Sequence, residues 1–86
     1  MLTAALRRSV SGGRYDGCLG VVVAQSPKKR NRPVVRLLYD ASARSLGNGV
    51  ELKVEQQPET VEVHYLPEAA GSLSEQAHRL ARGQAA

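Results

Sequence analysis

Apolar and polar positions alternate most cleanly in the second half of the chain. In VELKVEQ (50–56), Val50, Leu52 and Val54 share one side, and Glu51, Lys53 and Glu55 the other. TVEVHYL (60–66) repeats the rhythm, setting Val61, Val63 and Tyr65 against Glu62, His64 and Leu66. A period of two sends successive side chains to opposite sides of an extended backbone, so both segments read as antiparallel strands with one buried and one wet face. CLGVVVAQ (18–25) and VVRLLYD (34–40) are more continuously apolar and β-branched, as strands covered on both sides are. Turn signals separate them. SGGRYDG (11–17) holds three glycines and an Asp-Gly pair, ASARSLGNG (41–49) ends in Gly-Asn-Gly, and QPE follows at 57–59. SPKKRNRP (26–33) reads as a loop bounded by Pro27 and Pro33, neither of which can donate to a ladder. Gly20, inside a strand pattern, predicts a bulge or a close backbone approach.

The two ends differ from the middle. Leu2, Ala5, Leu6 and Val10 keep helical spacing, yet ALRRSV also suits a first strand, so residues 1–13 read as either. In GSLSEQAHRLARGQ, Ser72 or Ser74 serves as N-cap with Glu75 in the first turn. Leu73, Ala77, Leu80 and Ala81 then form a thin apolar stripe, which predicts a short helix within 68–86. The fold class is therefore mainly β: a small antiparallel SH3-like barrel or bent sheet of four to five strands over 14–67, with a short C-terminal helix. A split sandwich satisfies the same pattern.

Composition narrows the function classes. The chain has 86 residues, no Phe or Trp, and three tyrosines, Tyr15, Tyr39 and Tyr65. One domain of this size builds its core from Val and Leu, which favours a packed sheet over a roomy substrate cavity. Cys18 is the only cysteine, so an intramolecular disulfide and a cysteine-rich metal site are both excluded. This usage, with no secretory leader pattern at MLTAALRRSV and no long apolar run, predicts a cytoplasmic protein without a membrane partner.

Charge is unevenly spread. Residues 1–46 carry nine Lys or Arg against Asp16 and Asp40, a net +7, whereas residues 47–86 carry three against six Glu, a net −3. If the halves fold onto separate faces, an anionic partner would prefer the first. The candidate contacts for an anion or nucleic acid are Lys28, Lys29, Arg30, Arg32 and Arg36. No aromatic interleaves them, so stacking on single-stranded bases is not provided for. The same charges would also guard a solvated hairpin tip against edge-to-edge aggregation, the reading preferred here.

Catalytic patterns are missing. His64 and His78 stand without a second His or a carboxylate at metal-ligand spacing, and the Glu residues fall at scattered alternating positions. GGRYDGCLG precedes a strand, whereas a phosphate-cradling glycine loop runs into a helix. Catalytic residues, metal ligands and cofactors are accordingly expected to be none. Arg32 and Arg36 match the R-x-x-x-R of the PilZ family, which binds cyclic di-GMP. Asp40 and Ser42 match part of its D-x-S-x-x-G, but Ser45 stands where the final glycine belongs.

YDGCLGVVVAQSPKKRNRPVVRLLYD resembles the C-terminal β extension that follows the catalytic domain of many HD-GYP phosphohydrolases. Asp16, Gly17, Gly20, Val21 and Val22 fit its Asp-Gly-x-x-Gly-Val-Val element. Arg32, Pro33, Val35 and Leu37 fit its Arg-Pro-x-Val-x-Leu, and VELKVEQQPETVEV takes the place of the third element. The resemblance covers roughly residues 14–67. That family hydrolyses cyclic di-GMP at a metal centre built from His-Asp and Gly-Tyr-Pro motifs, neither of which occurs in this sequence, so no catalytic residue carries over. The resemblance implies a non-catalytic accessory or interaction module, detached or truncated from such a hydrolase, whose partner is another protein domain such as an HD-type catalytic domain. The alternatives are a small basic nucleic-acid-binding β-barrel and a PilZ-like cyclic-di-GMP binder.

Overall fold

The computed structural model describes residues 6–26, 29–57, 60–67 and 71–83. Five strands are formed: β1 (Arg7–Ser11), β2 (Leu19–Ser26), β3 (Lys29–Tyr39), β4 (Ser45–Lys53) and β5 (Glu62–Tyr65). A 3-10 turn at Val54–Gln56 follows β4, and the helix α1 spans Leu73–Ala81. The strands make one antiparallel sheet in the order β4-β3-β2-β1-β5. Each strand up to β4 pairs with its predecessor, and β5 returns to pair with β1. β4 and β5 are thus the two edges, and the sheet bends without closing into a barrel. The bent-sheet form of the expected fold is the one adopted; a closed barrel and a split sandwich are not.

The first segment takes its strand alternative. Arg7–Ser11 carries a buried Val10 and pairs with β2 on one side and β5 on the other, so a helix there would cost the sheet its central connection. Leu2 and Ala5 lie outside the described residues. The turn after β1 needs its glycines. Gly12 and Gly17 sit at φ 88° and 85°, where an L side chain is strained. The Gly12 N–H donates to Asp16 Oδ1 at 2.8 Å, and the Gly17 N–H to the Val10 carbonyl at 2.7 Å.

Two boundaries differ from the sequence reading. The described part of 26–33 is strand and not loop: Gln25 pairs with Pro33 and Ser26 with Lys29, with an irregularity between, while Pro27 and Lys28 lie outside the described residues. Pro33 is tolerated because β4 reaches only as far as Val34, so one side of the strand serves no ladder at the proline. β4 likewise begins at Ser45, earlier than expected. Gly47 and Gly49 at φ 68° and 93° bulge the strand, and regular pairing with β3 holds only over 50–53.

Each face of the sheet buries an apolar set. On the inner face, Val10, Cys18, Val35, Leu37 and Leu52 pack together, with Val50, Val61 and Val63 around them. Full burial of a side chain such as Leu37 contributes about 1.5–3 kcal/mol. On the outer face, Leu19 and Val21 meet Ala43, Leu66, Leu73 and Ala77. α1 starts in a capping box: Ser72 Oγ accepts from the Glu75 N–H, and Glu75 Oε1 accepts from the Ser72 N–H at 2.6 Å. It presents Leu73, Gln76 and Ala77 to the sheet, while Ala81, expected in the stripe, is exposed. Buried Gln76 ties the helix down by accepting from Arg7 Nη1 at 3.1 Å and donating to the Pro67 carbonyl at 3.0 Å.

The two charge halves do not form separate faces. β1 pairs with β5 and β3 with β4, so strands of the +7 half interleave with strands of the −3 half.

Candidate functional site

Three constellations carry functional side chains. The first is the β2–β3 hairpin. β1 pairs with β2 only over 19–21, and β4 pairs with β3 only from Val34 onward. Among the described residues only the pairs Gln25↔Pro33 and Ser26↔Lys29 lie outside both of those ladders, as the short two-stranded ribbon of the hairpin, whereas Val22 and Ala24 oppose Val35 and Val34, which β4 still flanks. Lys29, Arg30 and Arg32 lie on the hairpin's β3 strand, and Lys28 lies outside the described residues. Arg36, nearer the sheet, is exposed and opposes Val21 on one side and Glu51 on the other. Its aliphatic stem covers Gly49: a Cβ there would stand 2.6 Å from Arg36 Cγ.

The structure spreads the PilZ-like residues along one strand. Arg32 is in the ribbon, Arg36 in mid-sheet, and Asp40 just past the opposite end of β3. The Asp40 carboxylate closes its own turn. It accepts from the Ser42 and Arg44 N–H groups at 2.9 Å each and from Arg44 Nε at 3.0 Å. The Arg44 N–H, the Ser42 N–H and the Arg44 charge together hold its pKa below the usual carboxylate range, against a smaller opposing effect of burial.

The second constellation is the rim of the inner face. Val61, Val63 and Tyr65 do share a side, as the alternation predicts, but cover runs out before Tyr65. Val63 packs in the core, while Tyr65 is 58% exposed. Its cross-strand partner is Arg8, whose guanidinium carbon stands 5.4 Å from the ring centroid. That geometry is a cation–π contact. Arg8 Nη1 also donates to the Arg7 carbonyl at 2.8 Å, which fixes the guanidinium. Leu6, 38% exposed, immediately precedes β1. Sequence alternation placed Tyr65 on the buried side, and only the extent of cover, a tertiary property, reveals it as surface.

The third is a surface cluster on β1 and β5. Ser11 Oγ lies 2.7 Å from His64 Nε2, and Glu62 Oε1 lies 3.5 Å from the same nitrogen. A Ser-His-acid relay needs the carboxylate on the opposite ring nitrogen, where it orients the imidazole and stabilises its charge. With both partners on Nε2, the cluster is a cross-strand polar contact and not a relay. His78 Nδ1 faces the Ser74 carbonyl at 2.8 Å, one helical turn back. Cys18 is buried, and desolvation, reinforced by Asp40 and Asp16, pushes its thiol pKa up, away from the reactive thiolate. Among the described residues, no three His, Cys, Asp or Glu side chains gather as metal ligands, and no helix is long and apolar enough to cross a membrane.

Comparison with protein-family models, with curated proteins and with solved structures finds no match for this chain.

Proposed function

We propose that the chain is a non-catalytic interaction module that docks on another protein domain through Arg8 and Tyr65. The observation that carries this reading is Tyr65 itself: an aromatic 58% exposed at the end of an otherwise buried face, with an Arg guanidinium over its ring. Tyr and Arg are enriched at interface centres because each buries a large surface while keeping a polar group able to find a partner. The backbone on both sides of this pair is held by the β1–β5 ladder, so little ordering entropy would be lost on docking. The resemblance to the HD-GYP appendage supplies the partner class, an HD-type catalytic domain of cyclic-di-GMP signalling, and the cytoplasm as the place of action.

The test is calorimetric titration of the chain into a purified HD-GYP catalytic domain, with Tyr65→Ala alongside. The parent should bind saturably, and Tyr65→Ala should weaken binding at least about tenfold, as loss of an interface hot spot does. A parent chain that does not bind would remove the proposed partner. Unchanged binding by Tyr65→Ala would remove the proposed surface.

A further inference from the structure

The outer side of β4 is a sheet edge that the docking reading does not use. β4 stands at one end of the strand order, so among the described residues its only ladder is the one with β3. That ladder is regular over 50–53, and the backbone is still extended at Lys53, with φ −96° and ψ 100°. Glu51 and Lys53 are exposed, whereas Val50, Leu52 and Val54 belong to the inner apolar set. Across the ladder Glu51 opposes Arg36 and Lys53 opposes Val34. Neither the Glu51 nor the Lys53 side chain makes an ion pair or a hydrogen bond among the described residues.

We propose that β4 pairs antiparallel with β4 of a second copy of this chain, about a two-fold axis at Leu52. An edge strand presents a row of unpaired N–H and C=O groups, a template for another strand. The run VELKV (50–54) decides which strand fits, because apolar-acid-apolar-base-apolar is complementary to itself when reversed. With the axis at Leu52, Glu51 opposes Lys53 of the second copy and Lys53 opposes its Glu51, giving two ion pairs on the exposed side. On the inner side Val50 comes opposite Val54 of the second copy at each end. Other registers fail. An axis at Glu51 sets that carboxylate against its own copy, and an axis at Lys53 does the same to the ammonium. A parallel in-register pair repeats both like-charge contacts. An axis between residues sets Leu52 against Glu51 or Lys53 and mixes the two faces. The Lys53 carbonyl accepts from Gln57 Nε2 at 3.2 Å and keeps a second lone pair for a ladder. The 3-10 turn at Val54–Gln56 ends the extended run, so the shared ladder is short and the association weak. Each copy uses the same patch, so the contact closes at a dimer.

The experiment is sedimentation velocity of the full chain from about 10 µM to about 1 mM, the range in which a small interface associates. The parent should pass from monomer to dimer and no further. Glu51→Lys and Lys53→Glu should each weaken dimerisation at least about tenfold, since either change turns both ion pairs into like-charge contacts. An equimolar mixture of the two variants should dimerise again, because one then presents two lysines and the other two glutamates. Should a single variant fail to fold, the exchanged double variant Glu51→Lys/Lys53→Glu should dimerise as the parent does. Tyr65→Ala, on the opposite edge strand, should leave dimerisation within about twofold, which separates this contact from the docking rim. The proposal is overturned by a parent that stays monomeric at the top of the range, or by single variants that dimerise as the parent does. A mixture of folded variants, or an exchanged double variant, that stays monomeric would equally overturn it.

Discussion

At the residue scale, Gly20 shows most directly how the sequence bends the sheet. A Cβ at this position would run into the Arg36 carbonyl and Leu37 Cα of the neighbouring strand, and the β2–β3 register shifts between Leu19 and Gly20. The expectation of a close approach at this glycine is met by that geometry. Gly20→Ala must push two central strands apart, and overpacking of this kind costs about 1–3 kcal/mol. The urea midpoint of the variant should fall accordingly; a midpoint equal to the parent's would mean that β2 and β3 can separate freely there.

Two carboxylates at this scale govern acid behaviour. Backbone N–H donation from Arg44 depresses the Asp40 pKa, and donation from the backbone and then the hydroxyl of Ser72 depresses that of Glu75. A group whose folded pKa is lowered stabilises fully above its unfolded value and loses that contribution as pH falls through the folded value. Thermal stability should therefore hold near neutral pH and decline below about pH 4, where Asp and Glu side chains begin to protonate. Both groups are solvated, so the decline should be gradual. Asp40→Asn should start less stable and show a shallower fall on acidification; a slope equal to the parent's would assign the acid response elsewhere.

At the element scale, period and turn chemistry made most of the fold legible. The alternation of Val50, Leu52 and Val54 and of Val61 and Val63 identified the inner faces of β4 and β5, because each segment has one wet side and so keeps a visible period. The capping box of α1 was readable from Ser72 and Glu75 at their three-residue spacing. Removing the cap tests how far α1 depends on it. Ser72→Ala should destabilise the chain by about 1 kcal/mol in chemical denaturation, and no change would mean that the Arg7–Gln76 anchor holds the helix alone.

What the sequence hid at this scale was strand extension. Pro27, Pro33 and five polar residues between them carry every mark of a loop, yet β3 runs from Lys29, because a two-stranded ribbon with unflanked sides tolerates a proline and needs no apolar face. The segment 1–13 was ambiguous for the opposite reason. Val10 alone is buried in β1, and one apolar residue fixes no period.

For the whole molecule, the linear charge skew was the least faithful guide. Because β1 zips to β5 and β3 to β4, the chain's halves mix. Arg7 and Arg8 lie at the end of β1 nearer the β2–β3 hairpin turn, and at the opposite end Asp16 and Asp40 are accompanied by Arg14 and Arg44. Tyr65 lies on the edge strand β5 opposite Arg8, with β1 between it and β2. Neither the exposed rim at Tyr65 nor the unflanked end of the hairpin was readable from pattern alone. The rim depends on where inner-face cover stops, and the ribbon on where β1 and β4 cease to pair.

The most direct measurement of the docking claim is a two-dimensional amide NMR titration of the labelled chain with an unlabelled HD-GYP catalytic domain. The largest shifts or broadening are expected at Arg8 and Tyr65 and their β1–β5 neighbours, with the turn at 40–44 unaffected. Perturbation centred on that turn or on the exposed side of α1, with Tyr65 unmoved, would contradict it.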